Sequence, residues 1–421
     1  MKVFLFNDST SQNNWGCRAT TLGLLKLIEE DGHEIIGSMQ LEKISTIQTN
    51  NTTSIVKGLL KKNRLIYTFF RTLAWNIKRI GGYRMGFISS FKDFDKYSNL
   101  ILSNKEWKKE FLQMKKADLI LVNGEGSIYG DEQKGFFTLF VCWFVKTKLN
   151  KTCALVNHTL NLSNNNMEEI AKIVYPMLDD VSFRERISEK NHKSICRNDM
   201  DLFVPDAAFV HKVSPNNVLN TFMINNKKNL SGLNIIEDNY VCILGSSVLG
   251  RPDDGNLFPK DQFLFLVESL LSKKYKVVMV ASDTTDELPF KQISLSKNLP
   301  FFDASTDLES GIALLTNADC LIGGRWHPSI LGSLGGTPSI MMSANTAKTK
   351  AFLNMFDLPD EVFDPFTLDS SIERIFTLLY KYKKSPELRF EIKNKARQYS
   401  DRAKDNIRSL KSNSINERFN K

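Results

Sequence analysis

Short, nearly uninterrupted apolar runs recur along this chain, each followed by a loop of small residues and a helical pattern. That alternation restricts the fold more than any other feature. Tyr240–Gly245, Tyr275–Ala281 and Cys320–Ile322 read as buried parallel strands, and Phe301–Asp303 and Ser339–Met342 continue the series. In the first half Lys2–Phe6, Glu34–Ile36, Ala117–Val122, Cys153–Asn157 and Asp179–Phe183 read the same way, with helices between them and the first helix running from near Cys17 to Gly32. Helices from about Ser370 to Ser412 close the chain. The expected class is α/β with Rossmann-like, doubly wound sheets.

With 421 residues the chain is too long for one ordinary core, so two domains of roughly 200 residues each are expected. The stretch 214–239, rich in Asn, Ser, Lys and Gly, is the expected linker between a domain over 1–213 and a domain over 240–421.

Composition removes several classes of function. No apolar run reaches the ~18 residues a membrane span needs, and Phe136–Val145, the nearest candidate, reads as a buried helix. Met1–Asp8 reads as a first strand rather than a signal peptide. The six cysteines are scattered without metal or redox spacing, so a reducing cytoplasm is expected and no metal site is. The net charge of +9 is uneven: between Glu42 and Asp93 the chain has no acid and many Lys and Arg. This basic insertion, about 43–92, reads as a solvated face of a helix packed on its own domain. Peripheral contact with an anionic membrane surface at its inner face is the alternative. No nucleic-acid-binding module is recognisable.

Candidate site residues lie where strands end. Gly323-Gly324-Arg325-Trp326-His327-Pro328-Ser329 follows the strand Cys320–Ile322, so Arg325 and His327 are expected in the crevice beyond the carboxyl ends of the sheet, with helix N–H groups near Ser329. Asn14 and Gly16 follow the first strand, where a small turn lets backbone approach a ligand. Gly124-Glu125-Gly126-Ser127 reads as a turn after Ala117–Val122: the glycines permit positive φ, Ser127 caps the next helix or binds an anion, and Glu125 is a candidate base. Arg184 stands at a strand end in the first half, where it would face Arg325 and clamp a dianion.

These motifs, in their order, resemble the polysaccharide pyruvyl transferase family. The resemblance rests on Asn14-Trp15-Gly16, the glycine-rich stretch Asp118–Ser127, Ser182-x-Arg184-Glu185-x-x-Ser188, Asp206–Phe209, and Arg325-x-His327 followed by Gly336-x-Pro338. Cys17 stands where the family commonly has an acid, and Glu125 separates glycines that are often three in a row. The resemblance implies two domains facing across a cleft, as in GT-B glycosyltransferases. It also implies phosphoenolpyruvate as donor, a hydroxyl pair of a glycan or lipid-linked oligosaccharide as acceptor, and a pyruvate ketal with phosphate as products. On that reading Arg184 and Arg325 hold the donor, His327 protonates its methylene, Glu125 or Asp206 takes a hydroxyl proton, and no cofactor is required. Two alternatives stay open: a GT-B glycosyltransferase using a nucleotide sugar, with Asp283 or Glu309 as ribose acceptor, and a non-catalytic glycan-binding protein on the same fold.

Overall fold

The computed structural model describes residues 1–41, 88–103, 107–196, 201–213, 239–249 and 258–411. The expected linker, 214–238 of it, and the basic insertion, apart from 88–92, lie outside the described residues.

The first sheet contains strands β1 (Lys2–Phe6), β2 (Glu34–Met39), β3 (Leu119–Tyr129), β4 (Thr152–Asn161) and β5 (Asp180–Phe183) in the order β2-β1-β3-β4-β5. The pairs β1·β2, β1·β3 and β3·β4 are parallel. The helices of this half of the chain are α1 (Trp15–Glu30), α2 (Asp93–Ser103), α3 (Lys108–Lys116), α4 (Gln133–Thr147), α5 (Asn165–Val174) and α6 (Arg186–His192) in chain order. Helix α4 is the buried helix expected over Phe136–Val145: every residue from Gly135 to Val145 is buried. Its aromatics meet those of α2, with Phe94 and Phe140 edge to face at 5.3 Å between ring centres, a geometry the ring quadrupoles favour.

The second sheet contains β6 (Tyr240–Ser246), β7 (Lys276–Val280), β8 (Phe301–Phe302), β9 (Cys320–Gly324), β10 (Ser339–Met342) and β11 (Val362–Phe363), ordered β11-β10-β9-β6-β7-β8. Every pairing in it is parallel. Helices α7 (Lys260–Ser272), α8 (Thr284–Lys297), α9 (Leu308–Asn317), α10 (Trp326–Ser333) and α11 (Lys348–Met355) alternate with these strands, and α12 (Leu368–Lys383) and α13 (Pro386–Ala403) follow. This is the α/β class expected, with two parallel-sheet domains. The apolar runs form strands because both faces of each sheet are covered; Val241, Cys242, Ile243 and Leu244 of β6 are all 0% exposed.

The chain forms two compact units that no single cut separates. One comprises Met1–Asp8, Gly32–Ser182 and His192–Met200; the other comprises Ser9–Asp31, Phe183–Asn191 and Asp201–Lys421. Helix α1 therefore belongs to the second unit, and its packing shows why. The Nη2 of Arg18 donates to the carbonyls of Ala304 and Thr306 at 2.8 and 2.7 Å, and Trp15 Nε1 donates to the Asp303 carbonyl at 3.2 Å.

No helix among the described residues is long and apolar enough to cross a membrane.

Candidate active site

The second unit brings together most of the expected residues around the start of α10. Strand β9 ends in two glycines because nothing larger fits: a Cβ on Gly323 would lie 2.6 Å from the Leu244 Cβ, and one on Gly324 would press on Ser246. Arg325 then takes an extended conformation as the residue before α10. Its side chain turns to the N-terminus of α8, where Asp283 is the N-cap and accepts from the Thr285 N–H at 2.9 Å. Arg325 Nε donates to Asp286 Oδ2 at 2.9 Å and Nη2 to Oδ1 at 2.8 Å, a closed two-point pair. Nη2 also donates to Thr285 Oγ1 at 2.6 Å, while Nη1 lies 3.5 Å from Asp283 Oδ2.

These carboxylates respond oppositely. Burial raises the Asp286 carboxyl above its ordinary range, more than the Arg325 charge lowers it, and Asp283 adds to the rise. Burial would also raise Asp283, but Arg325, the Thr285 N–H and hydroxyl, and the Asn14 amide outweigh it and hold Asp283 below the usual range. The fork expected to grip a donor anion is thus filled by Asp286. Arg325→Lys keeps the charge but loses one of two charge-assisted bonds, so a stability loss of about 1.5–3 kcal/mol is expected in urea denaturation.

His327 occupies the first turn of α10 with its ring against α1. Nε2 lies 3.0 Å from Thr20 Oγ1, 3.3 Å from Asp206 Oδ2 and 3.3 Å from Arg184 Nη1. Gly16 makes this approach possible: a Cβ there would collide with Nδ1 and lie 2.7 Å from Cγ of the ring. The glycine expected to admit a ligand to the backbone admits the imidazole instead. Asn14, expected at the same ligand, is the N-cap of α1, accepting from the Cys17 N–H at 3.0 Å, and its amide donates to Asp283.

Asp206 anchors the cluster and is fully buried. Its Oδ1 accepts from Thr20 Oγ1 at 3.1 Å and the Ala208 N–H at 2.9 Å; Oδ2 accepts from Arg184 Nη1 and Trp326 Nε1, both at 3.1 Å. Burial alone would raise this carboxyl, but the His327 and Arg184 charges and the Ala208 N–H hold it well below the ordinary carboxylate range. A carboxylate so saturated with donors is an anchor rather than a base.

Arg184 departs from expectation in position. It belongs to the same unit as Arg325, not to the opposite half. It is 1% exposed, and its guanidinium lies 5.4 Å from the centre of the Trp326 ring. The two arginines therefore form no clamp from opposite halves. The motif around Arg184 is local: Glu185 Oε2 accepts from the Ser188 N–H at 2.8 Å, and Glu185 also accepts from the Ser188 hydroxyl. Ser329 is likewise turned inward, donating to the Arg325 carbonyl at 3.1 Å.

Gly124, Glu125, Gly126 and Ser127 belong to the first unit, and they form no turn. Strand β3 runs through them to Tyr129 with an irregularity against β4 between Glu125 and Ile128. Glu125, not a glycine, carries the positive φ of 47°. The strand survives because side-chain amides brace it: Asn7 Nδ2 donates to the Asn123 carbonyl at 2.7 Å and Asn157 Nδ2 to Asn123 Oδ1 at 3.2 Å. Gly124 is required for closeness, since a Cβ there would lie 2.5 Å from that of His158. Ser127 caps no helix, because α4 starts only at Gln133. Among the described residues no group of three or more His, Cys, Asp or Glu side chains could hold a metal ion.

Sequence reasoning gave no site role to Thr20, Trp326, Thr285 and Asp286. Two signals were available. Asp283-x-x-Asp286 has the spacing of a helix start with acids in its first turn, and Gly16 with Thr20 puts two small residues on one helical face, four apart.

The family model described as polysaccharide pyruvyl transferase matches residues 26–346. No curated protein matches the chain significantly. Among solved structures, Anabaena Alr3699/HepE in complex with UDP is similar with a TM-score of 0.52 at 11% identity, over 98% of this chain and 99% of that one. S. aureus MnaA with UDP is similar with a TM-score of 0.50 at 9% identity, over 91% of this chain and 90% of that one. At such identities the likeness shows the fold alone.

Proposed function

Because the chain belongs to the polysaccharide pyruvyl transferase family, a family of transferases, we propose that it moves the enolpyruvyl group of phosphoenolpyruvate onto a hydroxyl pair of a glycan or lipid-linked oligosaccharide. The observation that carries this reading is His327 held at the start of α10 by Asp206 and Thr20. Donor activation requires a proton at the methylene carbon, and an imidazole fixed beside an ionised anchor suits that task.

The donor's anionic groups are met by the first-turn N–H groups of α10, which helix geometry leaves without intrahelical partners. Arg325 Nη1, the least engaged nitrogen of that guanidinium, adds charge. Arg184 is too deeply buried to touch the donor and acts behind His327. When His327 gives its proton to the methylene carbon, the double-bond electrons form the new C–H bond and the adjacent carbon becomes electrophilic. A first hydroxyl oxygen bonds to that carbon, phosphate departs with the C–O bonding electrons, and a second hydroxyl closes the ketal. Of the two hydroxyl protons, one leaves with phosphate and one restores the imidazolium.

Gly16→Ala pushes the ring out of line. A misplacement of about 1 Å costs roughly 10²-fold in turnover, read as a lower kcat for phosphate release with the fold intact by circular dichroism.

The test incubates purified protein with a glycan acceptor panel and either phosphoenolpyruvate or a set of UDP-sugars. Phosphate release with formation of an acid-labile, carboxyl-bearing glycan is expected. Consumption of a UDP-sugar with release of UDP, and none of phosphoenolpyruvate, overturns the reading in favour of glycosyl transfer. The ribose acceptors that glycosyl transfer would require gain little support: Asp283 is committed to Thr285, Asn14 and Arg325, and Glu309 is exposed on the first turn of α9.

A further inference from the structure

We propose that Asn345 is a donor-binding residue: its side-chain N–H groups, together with the first-turn N–H groups of α11, take the phosphoryl group of phosphoenolpyruvate and leave the carboxylate to α10. The inference rests on the pyruvyl-transfer reading for the identity of the ligand, while the anion site itself follows from the second unit alone.

Topology locates the site. From β6 the chain builds the sheet outward through β7 and β8, then returns to the other side of β6 for β9, β10 and β11. The strand order therefore reverses between β6 and β9, and open α/β sheets bind ligands beyond the carboxyl ends of their strands at such a point. The segments leaving three strands converge there. Ser246, at the end of β6, is level with Gly324 at the end of β9. The Ser246 hydroxyl donates to the carbonyl of Ser343, the residue after β10. A Cβ on Gly324 would lie 2.8 Å from that same carbonyl oxygen.

The hydrogen bonds at Asn345 fix which way its amide faces. Lys348 Nζ lies 2.7 Å from one terminal atom of this side chain. An ammonium only donates, so that atom is the amide oxygen, Oδ1. Ser247 agrees: its Oγ accepts from the Asn345 backbone N–H at 3.2 Å and spends its one hydrogen on Oδ1 at 2.8 Å. Both hydrogens of Nδ2 remain, and among the described residues none accepts them. Helix α11 begins three residues later, and the side chain of its cap, Ala347, makes no capping bond. Its first-turn N–H groups lack intrahelical partners as well. These groups only donate, and Lys348 brings a positive charge to the same place, so the fitting ligand is an anion.

Two helix starts stand side by side here. Trp326 of α10 and Phe352 of α11 meet edge to face at 6.2 Å between ring centres. The two helices follow neighbouring strands, since Met341 of β10 pairs with Gly323 of β9, and such strands are about 4.8 Å apart. Phosphoenolpyruvate carries its carboxylate and its phosphoryl oxygen on one carbon, so its two anionic ends suit two adjacent N-termini. A phosphoryl group accepts a point charge and a helix start without a planar fork. When the bond between that carbon and the phosphoryl oxygen breaks, its electrons go to the departing phosphate, and the Asn345 amide stabilises the charge that develops.

The experiment titrates the full chain calorimetrically with inorganic phosphate, pyruvate and phosphoenolpyruvate. Asn345→Asp keeps an oxygen for Lys348 and Ser247 but exchanges the two N–H groups for a second oxygen and a negative charge. Asn345→Ala removes the amide without adding charge, and an unchanged melting temperature without ligand shows that either variant is folded. Both variants should bind phosphate and phosphoenolpyruvate about 10–100-fold more weakly, the factor that one hydrogen bond to an anion is worth, with Asn345→Asp the weaker and pyruvate binding unchanged. Folded variants that bind phosphate as wild type does, or that lose pyruvate instead, overturn the inference. Phosphate binding lost as expected, with a UDP-sugar turned over and no phosphoenolpyruvate, leaves the anion site standing and removes only the pyruvyl-transfer reading. Turnover of phosphoenolpyruvate with phosphate affinity untouched by either variant does the reverse.

Discussion

Replacing His327 with Gln is expected to lower kcat for pyruvyl transfer by about 10²–10⁴-fold, the range that loss of a positioned general acid produces. KM for phosphoenolpyruvate should change little, because the α10 N–H groups and Arg325 are untouched. The anchor survives the change: Asp206 keeps Thr20, Ala208, Arg184 and Trp326 as donors, so the variant should remain folded. Steady-state phosphate release with a saturating acceptor measures the effect. A variant within a few-fold of wild type would remove His327 from the chemistry.

The second large effect falls on stability. Asp206→Asn leaves the Arg184 guanidinium, 2% exposed at its side chain, without its carboxylate. Breaking a buried pair by removing one partner costs about 3–5 kcal/mol. The loss should concentrate in the second unit, so hydrogen exchange should show α1, α10 and the turn Ala207–Val210 losing protection together. The pH dependence gives an independent check. The folded state holds the Asp206 carboxyl far below its unfolded value. Its stabilisation is therefore present above the unfolded pKa of about 3.9 and is lost as pH falls through the folded value. The gap between wild type and variant should be full at neutral pH and narrow progressively below about pH 4. A gap constant down to strongly acidic pH would show that the charge of Asp206 is not what stabilises the unit.

The strands were legible because a parallel strand covered on both faces must be apolar along its length, as Tyr240–Ser246 is, and that signal is local. Arg325 and His327 were legible for a related reason: strand polarity alone puts the residues after β9 at the carboxyl end of the sheet. What a residue does there depends on partners distant in sequence. Arg325 reads as an open fork until Asp286, 39 positions earlier, is known to fill it. Gly16 signals close approach in either account, but only the fold reveals that an imidazole is what approaches. Gly124–Ser127 misleads because glycines beside a polar residue ordinarily mark a turn; here the Asn7 and Asn157 amides satisfy the neighbouring backbone and side chain and let the strand continue.

Helix α1 and its partners in the second unit also set an order of events during synthesis. Thr20 and His327 stand 307 positions apart, with the whole of the first sheet's later strands encoded between them. The first helix leaves the ribosome early and waits, its Arg18 and Trp15 without the 303–306 carbonyls that receive them, until about two thirds of the chain has followed. Contacts of such span close late because the intervening loop entropy must be overcome first. A nascent or truncated chain that stops before Arg325 has neither that arginine nor the His327 imidazole, so the proposed site is completed only with the last part of the polypeptide.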